Sequence, residues 1–257
     1  MKILGVDSSS SPASASVVCD GKILSEVYVN NGLTHSKTLM SVIDRALVFA
    51  GITADDIDSV AVAAGPGSFT GVRIGVSCAK GIAFERDIPC AAISTLEMLA
   101  YNLLSVEGTV CAVMDARCSQ VYTATFKSHN GSITRITEDR AISIAELDGH
   151  LKNIDGKVYL VGDGAAMFFG EATAENLILA SEALRYQKSS SAVYAAVNKG
   201  RDIFKPSDGL VPYYLRLPQA ERELKKKQKG ESLMKVAIGA DHGGYELKES
   251  IKRHLVE

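Results

Sequence analysis

The residues best suited to binding a ligand form a glycine-rich loop between a predicted strand and a predicted helix. The loop contains Gly65, Gly67, Ser68 and Thr70, and its glycines permit backbone angles that are closed to other residues. Free N–H groups at the start of a helix favour an anion such as a phosphate. The loop lacks the Gly-Lys-Ser/Thr triplet of a P-loop, and a tight turn needed only for packing would explain the same sequence. Phosphate binding and close packing therefore stay open as two interpretations.

A second candidate for binding chemistry is Asp7, which ends the first predicted strand. It precedes a run of four serines, Ser8 to Ser11, and then Pro12. Kinase-like proteins place an aspartate in this position, where it can meet a magnesium ion. The simpler interpretation is an Asx turn, in which the carboxylate accepts a hydrogen bond from the backbone two residues later. We favour the Asx turn.

The remaining reactive side chains do not combine into a catalytic set. His35 has no second His or Cys at ligand spacing, and Asp115 with Arg117 fits a structural ion pair or a turn. No Ser, His and Asp set can be assembled into a nucleophilic triad from the sequence. The five cysteines lack a Cys-x-x-Cys pair, so most are expected to be small core residues. Gly162-Asp163-Gly164 is too short for the second phosphate loop that an ATPase would need.

These residues lie on a predicted alternation of strands and helices. Hydrophobic patterning predicts strands at 2–6, 14–19, 22–29, 60–64 and 90–93, and helices at 36–50, 72–84 and about 95–104. Asp20-Gly21 and Asn130-Gly131 predict hairpin turns. After Gly108 the pattern restarts, with strands at 109–114, 121–126, 133–137 and 158–161 and a last helix capped by a serine at 189–191. The chain is therefore expected to form two lobes of similar build, a duplicated α/β architecture.

The composition is that of an ordinary globular protein without a global charge for binding nucleic acid. The chain has 257 residues, of which 46% are hydrophobic and 23% charged, and its formal net charge is −2. Any contact with RNA must therefore be local or run through a partner. The N-terminal apolar run is too short for a signal peptide, and no stretch approaches the length of a membrane span. The cysteine usage fits the cytoplasm.

Small residues recur along the predicted helix that begins near Val72. Gly71, Gly75 and Ala79 lie four residues apart. Glycine inside a helix costs roughly 1 kcal/mol relative to alanine. Such a cost is explained where another element approaches closely, either within the chain or in a partner.

Three segments resemble those of the TsaB (YeaZ) family. The first is AGPGSFTGVRIG at 64–75, the second is Met114–Arg117 followed by Val121-Tyr122, and the third is VPYYLR at 211–216. The resemblance covers about residues 1–217. It implies an actin-like, sugar-kinase/Hsp70-type (ASKHA) fold of two ribonuclease-H-like lobes, and kinship with TsaD, the catalytic transferase of the same pathway.

The chain departs from TsaD at the metal ligands. TsaD relatives hold a metal with a His-x-x-x-His pair, whose spacing places both rings on one helical face. The corresponding positions here are Thr95 and Leu99, and a leucine cannot ligate a metal. The resemblance therefore implies no metal, no cofactor and no catalytic residue in this chain.

The function that the resemblance implies is that of a non-catalytic scaffold. TsaB dimerises with TsaD and helps recruit the ATPase TsaE, while TsaD transfers threonylcarbamoyl to N6 of adenosine 37 in tRNAs that read codons beginning with A. We expect the chain to reach tRNA only through this complex, to form a homodimer in isolation, and to work in the cytoplasm. The predicted partner interface comprises Gly71, Gly75, Ala79, Met40 and Val48.

Two enzymatic alternatives stay open. A nucleotide-dependent kinase or ATPase of the same fold would use Asp7 and the loop from Gly65 to Thr70. A metallopeptidase, the label historically attached to these relatives, is disfavoured by the missing histidine pair. ATP titration and metal analysis of the isolated chain would separate these enzymes from a scaffold.

The predicted domain boundaries leave an unusual tail. Residues 1–104 are assigned to an N-terminal lobe, 105–187 to a C-terminal lobe, 188–218 to a closing segment, 219–233 to a charged linker and 234–257 to the tail. The tail, MKVAIGADHGGYELKESIKRHLVE, predicts one strand and one helix and resembles the start of ribose-5-phosphate isomerase B. Asp241 and His242 match the residues that help bind the sugar phosphate in that family.

The tail is expected to have no isomerase activity, because one strand and one helix cannot bury a core. Our hypothesis is that the reading frame runs from one gene into the start of the next, and the alternative is a genuine fusion cut short. Resequencing the junction would decide between them. We also expect protease sensitivity after about Leu224.

Overall fold

Two mixed β-sheets, with helices on their outer faces and between them, organise the computed structural model of this chain. The structure describes residues 1–216 and Glu249, and residues 1–216 form one compact unit. The predicted linker at 219–233 and the predicted βα tail, with Asp241 and His242, lie outside the described residues.

The first sheet has the strand order β3-β2-β1-β4-β5. Its strands are β1 (Lys2–Asp7), β2 (Ala13–Cys19), β3 (Lys22–Val29), β4 (Ser59–Gly65) and β5 (Cys90–Ser94). The first three form an antiparallel meander, whereas β4 and β5 run parallel to β1. The hairpin predicted at Asp20-Gly21 is confirmed, because both residues adopt positive φ angles, 49° and 80°, as this type of turn requires.

Two helices cover the outer face of the first sheet. They are α1 (His35–Ala50) and α2 (Phe69–Phe84), and their apolar faces share a core with Leu4, Val17 and Val62. Gly51 ends α1 in the left-handed conformation, with φ of 69°, which is typical of glycine at a helix C-terminus. Thr34 is at the N-cap position, but its side chain makes no capping hydrogen bond.

The second sheet has the order β11-β10-β6-β7-β8, with β9 pairing with β7. Its strands are β6 (Gly108–Asp115), β7 (Gln120–His129), β8 (Ser132–Arg135), β9 (Arg140–Ser143), β10 (Val158–Val161) and β11 (Leu177–Leu179). The helices α4 (Ile144–Leu151) and α5 (Ala165–Glu171) share a core with its outer face. The sequence patterns did not predict β9, β11, α4 or α5, because elements this short carry little periodicity.

Two further helices, α3 (Thr95–Tyr101) and α7 (Ser189–Asn198), lie between the sheets and contribute to a core shared with both of them. A short helix, α6 (Glu182–Arg185), precedes α7. Every residue of α3 is buried. The predicted end of α3 near 104 is corrected to Tyr101.

The predicted serine cap of α7 is also corrected. Ser189 and Ser190 lie inside the first turn and are buried, and Lys188 is the N-cap. Their N–H groups are capped from other elements, by the Ser14 hydroxyl at 3.0 Å and the Glu26 carboxylate at 3.0 Å. Side chains from β2 and β3 therefore satisfy donors that a local cap would otherwise have to satisfy.

The two-lobed α/β fold expected from the sequence is confirmed by these sheets. In each lobe the first three strands along the chain form an antiparallel meander, and two later strands are added in parallel beside the first strand. None of the helices within residues 1–216 is long and apolar enough to cross a membrane.

Candidate functional site: the serine loop and the outer face of α1 and α2

The serine loop, Ser8–Ser11, lies where the glycine-rich loop meets the end of β1. The N–H of Ser68 donates to the carbonyl of Ser9 at 2.7 Å, and the hydroxyl of Ser8 donates to the carbonyl of Gly71 at 2.9 Å. A Cβ atom added at Gly67 or Gly71 would collide with the carbonyls of Ser9 and Ser8. The glycines thus allow two backbones to pack closely, and this geometry favours the packing interpretation over an open anion cradle.

Ser68 is the N-cap of α2, since its hydroxyl accepts the N–H of Gly71 at 3.3 Å. Thr70 is exposed in the first turn of the helix. Gly65 has φ of 122°, and a side chain there would collide with the carbonyl of Tyr213. A second segment therefore packs against this loop from the opposite end of the chain.

Asp7 forms the Asx turn that the sequence favoured. One carboxylate oxygen accepts the N–H of Ser9 at 3.0 Å and the hydroxyl of Ser9 at 2.6 Å. The other oxygen is buried and has no partner among the described residues. Burial raises the pKa of Asp7 to about 6, although the bonds from Ser9 oppose that rise.

Asp163 of the second lobe reaches the same loop. Its carboxylate accepts a hydrogen bond from the hydroxyl of Ser10, and burial raises its pKa. His35 contacts the carbonyl of Ser10 through Nε2 at 2.6 Å. Sequence reasoning considered Asp163 only as part of a short phosphate loop and missed this bond between the lobes, which no local pattern signals.

These groups do not assemble a metal centre. Within residues 1–216 and Glu249, no set of three or more His, Cys, Asp and Glu side chains is arranged to hold a metal ion. Thr95 and Leu99 on α3 are fully buried, and the side chain of Leu99 lies beside Gly162. Both positions therefore belong to the core between the sheets.

A cleft of about 300 Å³ lies at the carboxyl ends of β4 and β5. Its charged groups form a network in which Arg135 pairs with Glu97 at 3.1 Å and Asp139 at 2.6 Å, and Lys199 pairs with Glu97 at 3.0 Å. The network joins α3 to the second sheet and to the end of α7. Sequence reasoning missed it, because its members are far apart along the chain.

The small residues of α2 that the sequence assigned to a partner interface do not lie on its outer face. Gly71, Gly75 and Ala79 are buried within this chain; a Cβ at Gly75 would lie 2.8 Å from the hydroxyl of Ser8 and 3.7 Å from Val62. The assignment of these three residues to a partner interface is therefore wrong. Their small size serves the close approach of α2 to its own sheet and serine loop.

Large apolar side chains on the outer faces of α1 and α2 have no cover within the described part of the chain. Phe84 is 84% exposed and Phe49 is 69% exposed, while Met40 and Val48, both predicted interface residues, are each 55% exposed. His35 lies beside Gly71, so the two helices begin side by side, and both phenylalanines lie near the helix ends. We call this set of four residues the α1–α2 surface.

Comparison with known proteins assigns the chain to a family. The model for TsaD, tRNA N6-adenosine threonylcarbamoyltransferase, matches residues 23–223. The tRNA threonylcarbamoyladenosine biosynthesis protein TsaB of Bacillus subtilis is 30% identical over 89% of this chain and 100% of its own length. TsaB of Escherichia coli is 29% identical over 64% of this chain and 72% of its own length.

The fold is also similar to that of a solved structure. A Pseudomonas aeruginosa crystal structure, described as similar to peptidase YEAZ, superposes with a TM-score of 0.71 at 22% identity. The match covers 84% of this chain and 99% of that chain. The chain belongs to the TsaB (YeaZ) family of tRNA threonylcarbamoyladenosine biosynthesis proteins.

Proposed function

We propose that this chain is a non-catalytic scaffold that forms a heterodimer with TsaD, the transferase of the same modification. The observation that carries the proposal is the α1–α2 surface, where Phe84 and Phe49 are 84% and 69% exposed. Large aromatic side chains left exposed on a surface are typical of the residues that become buried in an interface.

TsaD suits this surface because the two chains are related. The TsaD family model matches residues 23–223 of this chain, a range that includes both α1 and α2. Two related folds can present matching helix pairs, and such pairs can associate about a pseudo-twofold axis. For the same reason, we expect the isolated chain to form a homodimer through this surface.

The absence of catalysis is supported by the core around α3. Leu99 and Thr95 are fully buried, and neither can supply the imidazole ligands that the resembling transferases use. In the proposed complex, TsaD transfers threonylcarbamoyl to adenosine 37 of tRNAs that read codons beginning with A, this chain positions TsaD, and the pair recruits TsaE. We expect this complex to act in the cytoplasm.

Co-purification with TsaD tests the scaffold. Phe84→Glu should weaken the heterodimer at least tenfold, because an ionised carboxylate would be desolvated in the interface. Phe169→Glu is the matched control, since Phe169 is 43% exposed on α5 of the other lobe, and it should leave the heterodimer intact. Failure of the wild-type chain to bind TsaD at micromolar concentration would refute the proposal.

A nucleotide-dependent kinase or ATPase is the second candidate, because Asp7 and Asp163 each keep one buried carboxylate oxygen without a partner among the described residues. Such an enzyme would bind ATP with magnesium unaided. Isothermal titration of the isolated chain with MgATP, together with elemental analysis for bound metal, separates it from the scaffold. The scaffold predicts neither stoichiometric ATP binding nor a tightly held metal.

A further inference from the structure

A C-terminal strap, residues 211–216, connects the two lobes on the side of the molecule where α2 begins. The N–H of Tyr213 donates to the carbonyl of Ala64 at 2.7 Å, which ties the strap to the end of β4. The guanidinium of Arg216 donates to the carbonyls of Ala116 and Arg117, which lie in the turn between β6 and β7. The strap is therefore tied to the first sheet through the backbone of Tyr213 and to the second sheet through the side chain of its last residue.

The middle of the strap is fixed by an aromatic stack. The ring of Tyr214 lies 4.7 Å from the ring of Phe69. Arg73 of α2 donates from Nε to the Tyr214 hydroxyl at 2.7 Å, and its guanidinium lies 5.4 Å from the ring centroid. Only one of the five donors of Arg73 is used in that bond, so its forked end remains available for an anion.

Three arginines lie on or beside this strap. The guanidinium of Arg216 donates to the backbone carbonyl of Arg117, and Arg73 contacts Tyr214, two residues before Arg216. None of the three forms an ion pair with a carboxylate within residues 1–216. The nearby Asp115 accepts the backbone N–H of Arg117 at 2.7 Å, so this carboxylate is held by the turn and forms no ion pair with the three arginines.

The turn that carries Arg117 is unusual. Arg117, Cys118 and Ser119 have φ angles of 62°, 56° and 53°, a left-handed run that costs roughly 1–2 kcal/mol per non-glycine residue. Arg117 is exposed at the start of this run.

An aromatic ring completes the surface. Tyr213 is 48% exposed, whereas Tyr214 is held between Phe69 and Arg73. Asp139 and Glu138 are the carboxylates whose charge acts on Tyr213, and Arg135 neutralises Asp139 at 2.6 Å. Arginines for phosphates and an open aromatic face for a base are the two elements with which proteins bind unpaired RNA.

We propose that the strap surface, formed by Arg73, Arg117, Arg216 and Tyr213, contacts the tRNA on which the heterodimer acts. The proposal rests on the proposed function, since the tRNA reaches this chain in the complex with TsaD. Arg73 and Arg117 hold backbone phosphates, and Tyr213 stacks on an unpaired base. We assign the protein partner to the α1–α2 surface instead, where Phe84 and Phe49 are more exposed than any apolar side chain of the strap.

The test measures binding of an unmodified tRNA transcript by the purified heterodimer across a salt series. Arg117→Gln should lower the slope of log affinity against log salt by about 0.8, because one phosphate contact is lost. Over the range from 1 M to 0.15 M salt, that slope corresponds to about fivefold weaker binding at 0.15 M. Arg117→Lys should leave the slope unchanged. Tyr213→Ala should weaken binding at every salt concentration and also leave the slope unchanged.

Arg201→Gln is the matched control, an exposed arginine on the segment after α7, and it should behave as wild type. An unchanged slope in Arg117→Gln, or an equal change in Arg201→Gln, would overturn the tRNA contact while leaving the scaffold proposal intact. Loss of the heterodimer in Arg117→Gln, seen by gel filtration, would identify the strap as a protein contact and also overturn it. If the wild-type chain and TsaD formed no heterodimer, that result would refute the scaffold proposal, and it is distinguishable from the outcomes above.

Discussion

Asp7→Asn tests whether the buried carboxylate of Asp7, beside the serine loop, destabilises the folded chain when it is ionised. In the folded chain, Asp7 is fully buried, and one of its oxygens already accepts two hydrogen bonds from Ser9. Burial raises its pKa from 3.8 to about 6. An asparagine keeps an oxygen for the bonds from Ser9 but carries no charge at any pH.

The magnitude and sign follow from linkage. A folded-state pKa above the unfolded one means that the folded chain holds the proton more tightly, so stability is lost as pH rises from about 4 to about 6. The shift of about 2 units corresponds to about 3 kcal/mol at 1.36 kcal/mol per unit. A carboxyl of pKa 3.8 is already more than half ionised at pH 4 in the unfolded chain, so the wild type should lose about 2 kcal/mol of this relative to Asp7→Asn between pH 4 and pH 7.

Urea denaturation of both proteins at pH 4, 5, 6 and 7 measures this difference. The asparagine brings a buried amide with its own cost, but that cost is independent of pH and shifts all points equally. Asp155→Asn, at an exposed loop position, is the control and should show no such trend. A stability difference between Asp7→Asn and wild type that stays constant from pH 4 to pH 7 would refute the desolvation of Asp7.

Four further substitutions test the packing around the site, each by urea denaturation. Gly75→Leu should destabilise the fold by at least about 1–3 kcal/mol through overpacking against Ser8, whereas Gly81→Ala, where a Cβ meets nothing within 4 Å, should stabilise α2 by roughly 1 kcal/mol; equal effects would contradict the buried stripe. Leu99→Ala should cost about 2–5 kcal/mol, and a near-neutral result would mean that α3 is not core. Ser10→Ala should lower the free energy of unfolding by about 1–3 kcal/mol, because the Asp163 carboxylate loses the hydrogen bond from Ser10. An unchanged free energy of unfolding would mean that this bond does not join the lobes.

Local chemistry made several features predictable. Asp20-Gly21 forms its hairpin because two residues with positive φ are needed there, and Gly51 ends α1 for the same conformational reason. Ser68 caps α2, and Asp7 forms its Asx turn, because each side chain bonds to backbone within three residues. The resemblance in 64–75 and 211–216 extended these local predictions to the family.

Only the tertiary structure decided which surfaces are open and which charges meet. The stripe of Gly71, Gly75 and Ala79 is compatible with internal or external packing, and its burial depends on the serine loop, more than 60 residues earlier in the chain. The first turn of α7 is capped from Ser14, 175 residues away, and Ser10 meets Asp163 across 153 residues. Helical and strand periodicity shows which face of an element is apolar, whereas the partner of that face depends on how distant segments fold back on one another.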